Sequence, residues 1–150
     1  MIIIGYQGIG KSSVANKHIE FIDLESGSFW NNGIRPNDWY IYYTNIANHL
    51  SKQGKNVFTS SHEVVRNVLK DSKERVIVAY PSLDLKDKWL KRLEDRYNNT
   101  QLEKDYKALM NAKDRYEENI KELINSGFET LEINDINYDL YDYIRKNLKK

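Results

Sequence analysis

The chain contains no cysteine, which excludes a disulfide framework, a thiolate metal site and a cysteine nucleophile together and fits a reducing compartment. A one-sided charge is also missing, because 23 Lys plus Arg against 22 Asp plus Glu leave a formal +1. That is far from the basic excess of a protein that wraps nucleic acid. No apolar run approaches the roughly 20 residues needed to cross a bilayer. Met1-Ile2-Ile3-Ile4 is too short for a signal-peptide core and has no basic residues before it. A cytoplasmic protein with no nucleic-acid and no membrane partner is expected. What is present, 150 residues of which 40% are apolar, supports one modest core and therefore a single domain over residues 1–150.

Strand and helix patterns alternate with little left over, which predicts an α/β fold with a parallel sheet. Met1 to Ile4 predicts a strand buried on both faces, Lys11 to about Lys17 a short helix, and Phe21-Ile22-Asp23-Leu24 a second strand. A loop follows through Gly27, Asn31, Asn32, Gly33 and Pro36. Trp39, Tyr42, Tyr43, Ile46, Ala47 and Leu50 recur at helical spacing, with Asn37 or Asp38 to cap the helix and Gly54 to end it, and this stripe predicts core. Asn56 to Thr59 and Arg75 to Tyr80 predict the third and fourth strands, the latter stopped by Pro81, with a helix around Val64, Val65, Val68 and Leu69 between them. Leu85, Trp89, Leu93 and Tyr97 mark one helical stripe, and Leu102 to Ile124 form a long helix that meets Gly127. A fifth strand over about Glu129 to Ile133 and a last helix carrying Tyr138, Leu140, Tyr141, Ile144 and Leu148, fraying at Lys149 and Lys150, complete the chain.

Directly after the first strand stands Gly5-Tyr6-Gln7-Gly8-Ile9-Gly10-Lys11-Ser12, which fits G-x-x-x-x-G-K-[ST] at every fixed position. This is the phosphate-binding loop pattern. Its glycines let the backbone turn so that successive N–H groups point inward, and the following helix directs its positive end to the same place. Residues 5–12 and Ser13 are the expected nucleotide-binding segment. Lys11 would reach the β- and γ-phosphates, and the Ser12 hydroxyl would be a ligand of Mg²⁺.

With this motif the chain resembles the P-loop kinase superfamily, and within it the nucleoside monophosphate kinase-like group that includes adenylate, thymidylate and shikimate kinases. The resemblance follows the order of elements along most of the chain, while residue-level agreement is confined to 5–12. It implies a three-layer P-loop NTPase fold with a five-stranded parallel sheet ordered 2-3-1-4-5 and helices on both faces. It also implies ATP and Mg²⁺, an acceptor-binding insertion at about 26–53, and a lid at about 82–118.

Asp23 and Glu25 close the second strand two residues apart, which puts both carboxylates on one side if the strand continues. In the family a carboxylate here contacts the acceptor or the magnesium shell, and Asp23 is the better candidate, an acidic turn or helix cap being the plainer role. In the insertion, Trp30 and Arg35 are the acceptor-binding candidates, a ring for stacking and a planar fork for a phosphate, while Trp39, Tyr42 and Tyr43 are expected in the core. Lys88, Arg92 and Arg96 share a helical face. The resemblance implies that Arg92 and Arg96 close over the transferring phosphoryl group, and Arg115 is a weaker candidate of the same kind; a solvated row paired with Asp87, Glu94 and Asp95 is the alternative.

The third strand departs from the family. Where an Asp often anchors magnesium through water, this chain reads Phe58-Thr59-Ser60-Ser61-His62. Ser60 or Ser61 could hold a metal-bound water, and His62 could touch a phosphate or the acceptor, but capping of the helix that starts near Glu63 by Ser61 explains the same stretch with fewer assumptions. His18 and His49 fit no pattern. The resulting expectation is an ATP-dependent phosphotransferase acting on a nucleoside or deoxynucleoside monophosphate. A kinase of another small hydroxyl acceptor, with Asp23 as base, and a non-catalytic nucleotide-binding module are the alternatives.

Overall fold

The three isoleucines after Met1 form the middle of the sheet and are fully buried. In the computed structural model, which describes residues 1–30 and 34–148, β1 (Ile2–Gly5) lies between β3 (Asn56–Thr59) and β4 (Val76–Pro81), with β2 (Phe21–Asp23) and β5 (Glu129–Ile133) at the edges. All pairings are parallel, as the sequence pattern predicts, and the order is β2-β3-β1-β4-β5, the one the resemblance implies. The central strand is apolar on both faces because helices cover both. Edge strand β5 instead alternates, with Leu131 and Ile133 buried between exposed Glu129, Thr130 and Glu132. Asn31, Asn32 and Gly33, expected in the loop after β2, and Lys149 and Lys150, expected to fray, lie outside the described residues.

Among the described residues six α-helices surround the sheet: α1 (Lys11–Lys17), α2 (Trp39–Lys52), α3 (Glu63–Leu69), α4 (Lys86–Thr100), α5 (Glu103–Ile124) and α6 (Leu140–Asn147). Right-handed crossovers put α1 on one face and α2, α3 and α5 on the other. The packing agrees, with α1 against α6 and α2 against α3. None of the described helices is long and apolar enough to cross a membrane.

Pro81 is tolerated as the last residue of β4, opposite Ile133. The neighbouring Ser82 N–H donates to Ile133 O at 2.8 Å, so the missing Pro81 donor faces the β1 side, where β1 has already ended at Gly5.

Three local expectations are corrected. Tyr42 and Ile46 are 56% and 42% exposed, not core, because α2 sits on the sheet through Trp39, Tyr43 and Ala47, a strict four-residue step that turns the flanking apolar positions outward. Ser61 does not cap α3: the helix starts at Glu63, His62 occupies the cap position at φ −55°, ψ 141°, and no side chain caps it. Asp38 stands at the start of α2, likewise without a side-chain cap bond.

Candidate functional site

The segment between β1 and α1 is folded back tightly over Gly5, where an added Cβ would lie 2.7 Å from Ile9 Cδ1 and 2.9 Å from Lys11 Cδ. Gly8 (φ 86°) and Gly10 (φ 108°) take left-handed backbone conformations that other residues adopt only with strain. The turn sorts its polar groups. Three consecutive carbonyls are met by side-chain donors: Gln7 O by Trp89 Nε1 at 3.0 Å, Gly8 O by Arg92 Nε at 2.8 Å, and Ile9 O by Tyr138 Oη at 2.5 Å. Lys11 Nζ donates to Gly5 O at 3.1 Å. Among the described residues, no backbone carbonyl outside α1 takes the N–H of Gly8, Ile9, Gly10, Lys11 or Ser12. Five successive donors thus stay unspent, with Ser12 and Ser13 exposed beside them. Such a nest suits an anion.

The turn is gripped from three directions. Trp89 and Arg92 come from α4 and Tyr138 from the segment before α6. From α5, Ala108 O accepts from Gln7 Nε2 at 3.0 Å. Tyr6 and Ile9 bury their side chains, so they serve the loop through their backbone. The sequence pattern marked Trp89 only as helix stripe and gave Tyr138 no site role. Nothing local indicates that their polar tips reach loop carbonyls.

At the carboxyl ends of β1 and β2 a set of charges acts on one another. Burial holds Lys11 below its ordinary pKa, opposed by the negative Asp23 and Glu25 and reinforced by Arg96. Burial likewise raises Asp23, against the pull of Lys11, with Glu25 raising it further and Lys104 and Arg96 lowering it. Asp23, Arg96 and Lys11 therefore act on one another's charge, and Lys104 joins them from the first turn of α5 with no sequence signal to announce it.

The two arginines expected to act alike are used differently. Arg96 faces the Lys11–Asp23 cluster and is held by the Asp105 carboxylate, Nε to Oδ1 3.0 Å, a buried group that also takes the Thr100 hydroxyl. Arg92 lies on the carbonyl side of the turn, its guanidinium 5.1 Å from the Trp89 ring and 5.4 Å from that of Tyr138. There, with Lys88, Lys91, Asp95 and Ile136, it lines an open cavity of about 360 Å³. Arg115 is apart from both, paired with Glu118 and Glu122 on its own helix. The 82–118 stretch is mostly a helical hairpin turned at Gln101 (φ 54°) and closed by Tyr97 against Tyr106 at 5.3 Å.

Beyond β2, Trp30 and Arg35 do come together. The Arg35 guanidinium lies 4.9 Å from the Trp30 ring and 4.0 Å from that of Trp39. His62 meets Trp39 edge-on at 5.4 Å, and its Nδ1 is 2.7 Å from Ser60 Oγ. Tyr43 joins the strand ends, donating to Leu24 O at 2.6 Å and accepting from Ser60 N at 2.8 Å. Burial pushes its phenol up to about 12. The Ser60 hydroxyl is thus occupied by His62.

Among the described residues no three metal-ligating side chains cluster. The Ser12 hydroxyl and the Asp23 carboxylate are nonetheless a donor set that suits Mg²⁺, which keeps most of its waters and binds through one or two protein oxygens plus phosphates. No protein-family model matches the sequence, and comparison with curated proteins likewise finds no match.

Proposed function

We propose that the chain is an ATP-dependent small-molecule phosphotransferase built on a P-loop fold, with the 5–12 turn as the donor site. The observation that carries this is the sorting of the turn's polar groups: three consecutive carbonyls bonded by side chains, five successive N–H groups unspent, and Lys11 at its end. Lys11 on its flexible stem exchanges the Gly5 carbonyl for a phosphate oxygen, while Arg96 and Lys104 add fixed positive charge where the transferred group carries spread negative charge. Mg²⁺, when bound at Ser12 and the Asp23 side, neutralises phosphate charge.

The family resemblance favours a nucleoside monophosphate as acceptor, with Arg35 beside Trp30 to grip its phosphate. A hydroxyl acceptor is the second reading, favoured by Asp23 and by the Ser60–His62 pair at the strand end. Calorimetric titration with ATP and GTP, followed by ADP formation over a panel of monophosphates, nucleosides and simple acids, tests the proposal. Binding of ATP with ADP release stimulated by one acceptor class supports it. Binding without any stimulation leaves a nucleotide-binding module.

A further inference from the structure

Residues 86–114 leave and rejoin the body of the fold through two junctions that are not α-helical. A single 3₁₀ turn (Leu83–Leu85) leads into α4, and within α5 Arg115 departs from helical geometry, at φ −137° and ψ 21°. The junctions stand side by side, since the buried Tyr116 Oη donates to Ser82 O at 2.8 Å and Lys86 Nζ lies 3.3 Å from Glu117 Oε1. Between them α4 and the first half of α5 form one hairpin, closed at its tip by Tyr97 against Tyr106. Paired junctions of this kind let a segment move as one body.

The hairpin is fastened to the 5–12 turn by bonds that run both ways. From α4, Trp89 and Arg92 donate to Gln7 O and Gly8 O, and from the turn Gln7 Nε2 donates to Ala108 O of α5. Trp89 and Leu93 are fully buried, and a Cβ built on Gly8 would lie 2.9 Å from Leu93 Cδ2 and 3.4 Å from Trp89 Nε1. The phosphate-loop pattern fixes Gly5 and Gly10 but leaves position 8 open, so glycine there answers to its left-handed φ and to the closeness of the hairpin. Were the hairpin to lift away, Gln7 O and Gly8 O would lose their donors together. A glycine-rich turn would then be free to spend its own N–H groups on those carbonyls, and the nest would be lost.

We propose that residues 86–114 are a clamp docked on the turn while the site is empty, and not a lid that closes over a bound nucleotide, so that undocking the hairpin about Ser82 and Arg115 abolishes nucleotide binding. The clamp goes beyond the phosphotransferase reading, since it concerns how the turn is shaped and not what the shape is used for. It regulates the site through its support: whatever loosens the root of the hairpin lowers affinity for a phosphate ligand, and that ligand holds the hairpin down by the same factor. Arg96 and Lys104 ride on the same hairpin, so docking also fixes where their charge stands.

The chain has no native cysteine, so nitroxides at Asn67→Cys on α3 and Asn99→Cys near the hairpin tip, both exposed positions, report docking by pulsed electron spin resonance. One narrow distance distribution is expected without nucleotide and with ATP and Mg²⁺ alike; two populations without nucleotide, or a shift on adding ATP, overturns the clamp. Hydrogen exchange read by mass spectrometry tests the coupling. With ATP at about 100 times its Kd, exchange through 86–114 is expected to slow about 100-fold, and exchange that bound ATP leaves unchanged overturns the proposal. Tyr116→Phe keeps the ring against Tyr6 and loses the bond to Ser82 O at the root. The variant is expected to speed hairpin exchange about 5-fold, as for one lost hydrogen bond, and to broaden the Gly8 and Gly10 amide resonances in proton–nitrogen NMR with no nucleotide present. Unchanged hairpin exchange, or faster exchange with both resonances as sharp as in the parent, overturns the coupling. Failure of the parent to bind ATP removes the donor reading alone, because the spin-label distances and the Tyr116→Phe spectra judge the clamp without it.

Discussion

The 5–12 turn and the aromatic mouth around Arg35 share one end of the sheet and are held in opposite ways. The turn is contiguous in sequence and rigidly anchored, with three of its carbonyls bonded from α4 and the segment before α6. The mouth is assembled from scattered residues, Leu24, Trp30, Arg35, Trp39, Tyr43, Ser60 and His62, and rests on ring contacts and on the single relay through Tyr43. A site for an invariant ligand such as a triphosphate gains from rigidity, because preorganised donors cost no reorganisation when charge develops. On the proposed function, the mouth would select the second molecule, and its chemistry is written in side-chain tips.

Substitutions that strip anchors from the turn should break the comparison most strongly. Trp89→Ala removes a fully buried ring and is expected to cost about 3–5 kcal/mol of stability, read by denaturant titration. Trp89→Phe keeps most of the packing and loses the bond to Gln7 O, so it should weaken ATP binding at a smaller stability cost. Next, Lys11→Met should lower phosphoryl transfer by roughly 100- to 1000-fold in a single-turnover assay. The same variant is expected to melt higher than the parent, because it no longer buries an ammonium held below its ordinary pKa.

Arg92→Lys and Arg96→Lys sharpen the contrast. The first loses a charge-assisted bond to Gly8 O, on the order of 1.5–3 kcal/mol, and should show as weakened ATP binding in calorimetry. The second should depress turnover more than binding, since Arg96 faces Lys11 and Asp23.

Asp23→Asn tests the charge cluster through pH. Burial raises this carboxyl's folded-state pKa above its unfolded value, so its contribution to stability is fullest below the ordinary carboxylate range and is lost as pH rises through the raised value. The variant should therefore melt above the parent by a margin that grows from pH 4 to pH 7 while its turnover falls. A margin independent of pH would sink that account. Smallest of all, Trp30→Ala removes one ring beside Arg35, worth about 0.5–1 kcal/mol at an exposed site. It should raise the acceptor KM a few-fold with ATP affinity untouched.

The strands, the helices and the turn at 5–12 were legible because their signals are local: a run of isoleucines, glycines at fixed offsets, and helical stripes separated by breakers, whereas the sheet order was legible only through the resemblance that the turn carries. The division of labour between Arg92 and Arg96 was not. Four-residue spacing puts them on one face of α4 but does not say that one end of that face meets the outside of the turn and the other meets Asp105. Tyr42 and Ile46 misled for a related reason, since their apolar stripe is wider than the arc of α2 that the sheet covers. His62 was passed over in favour of a cap at Ser61 because its edge-on contact with Trp39 of α2 crosses between elements.

The anchors of the turn have a consequence for the order in which the chain becomes competent. Its bonds to Trp89, Arg92 and Tyr138 span 82, 84 and 129 residues, so the segment synthesised first takes its final shape from segments synthesised much later. Contacts of such long sequence separation form late, because loop closure must precede them. A nascent chain on the ribosome can pair β1 with β3 well before Tyr138 emerges, yet it holds the glycine turn unclamped until then. On the proposed function, nucleotide capture would therefore be a property of the finished chain, and a ligand that selects the clamped turn would act as a check on the completeness of folding.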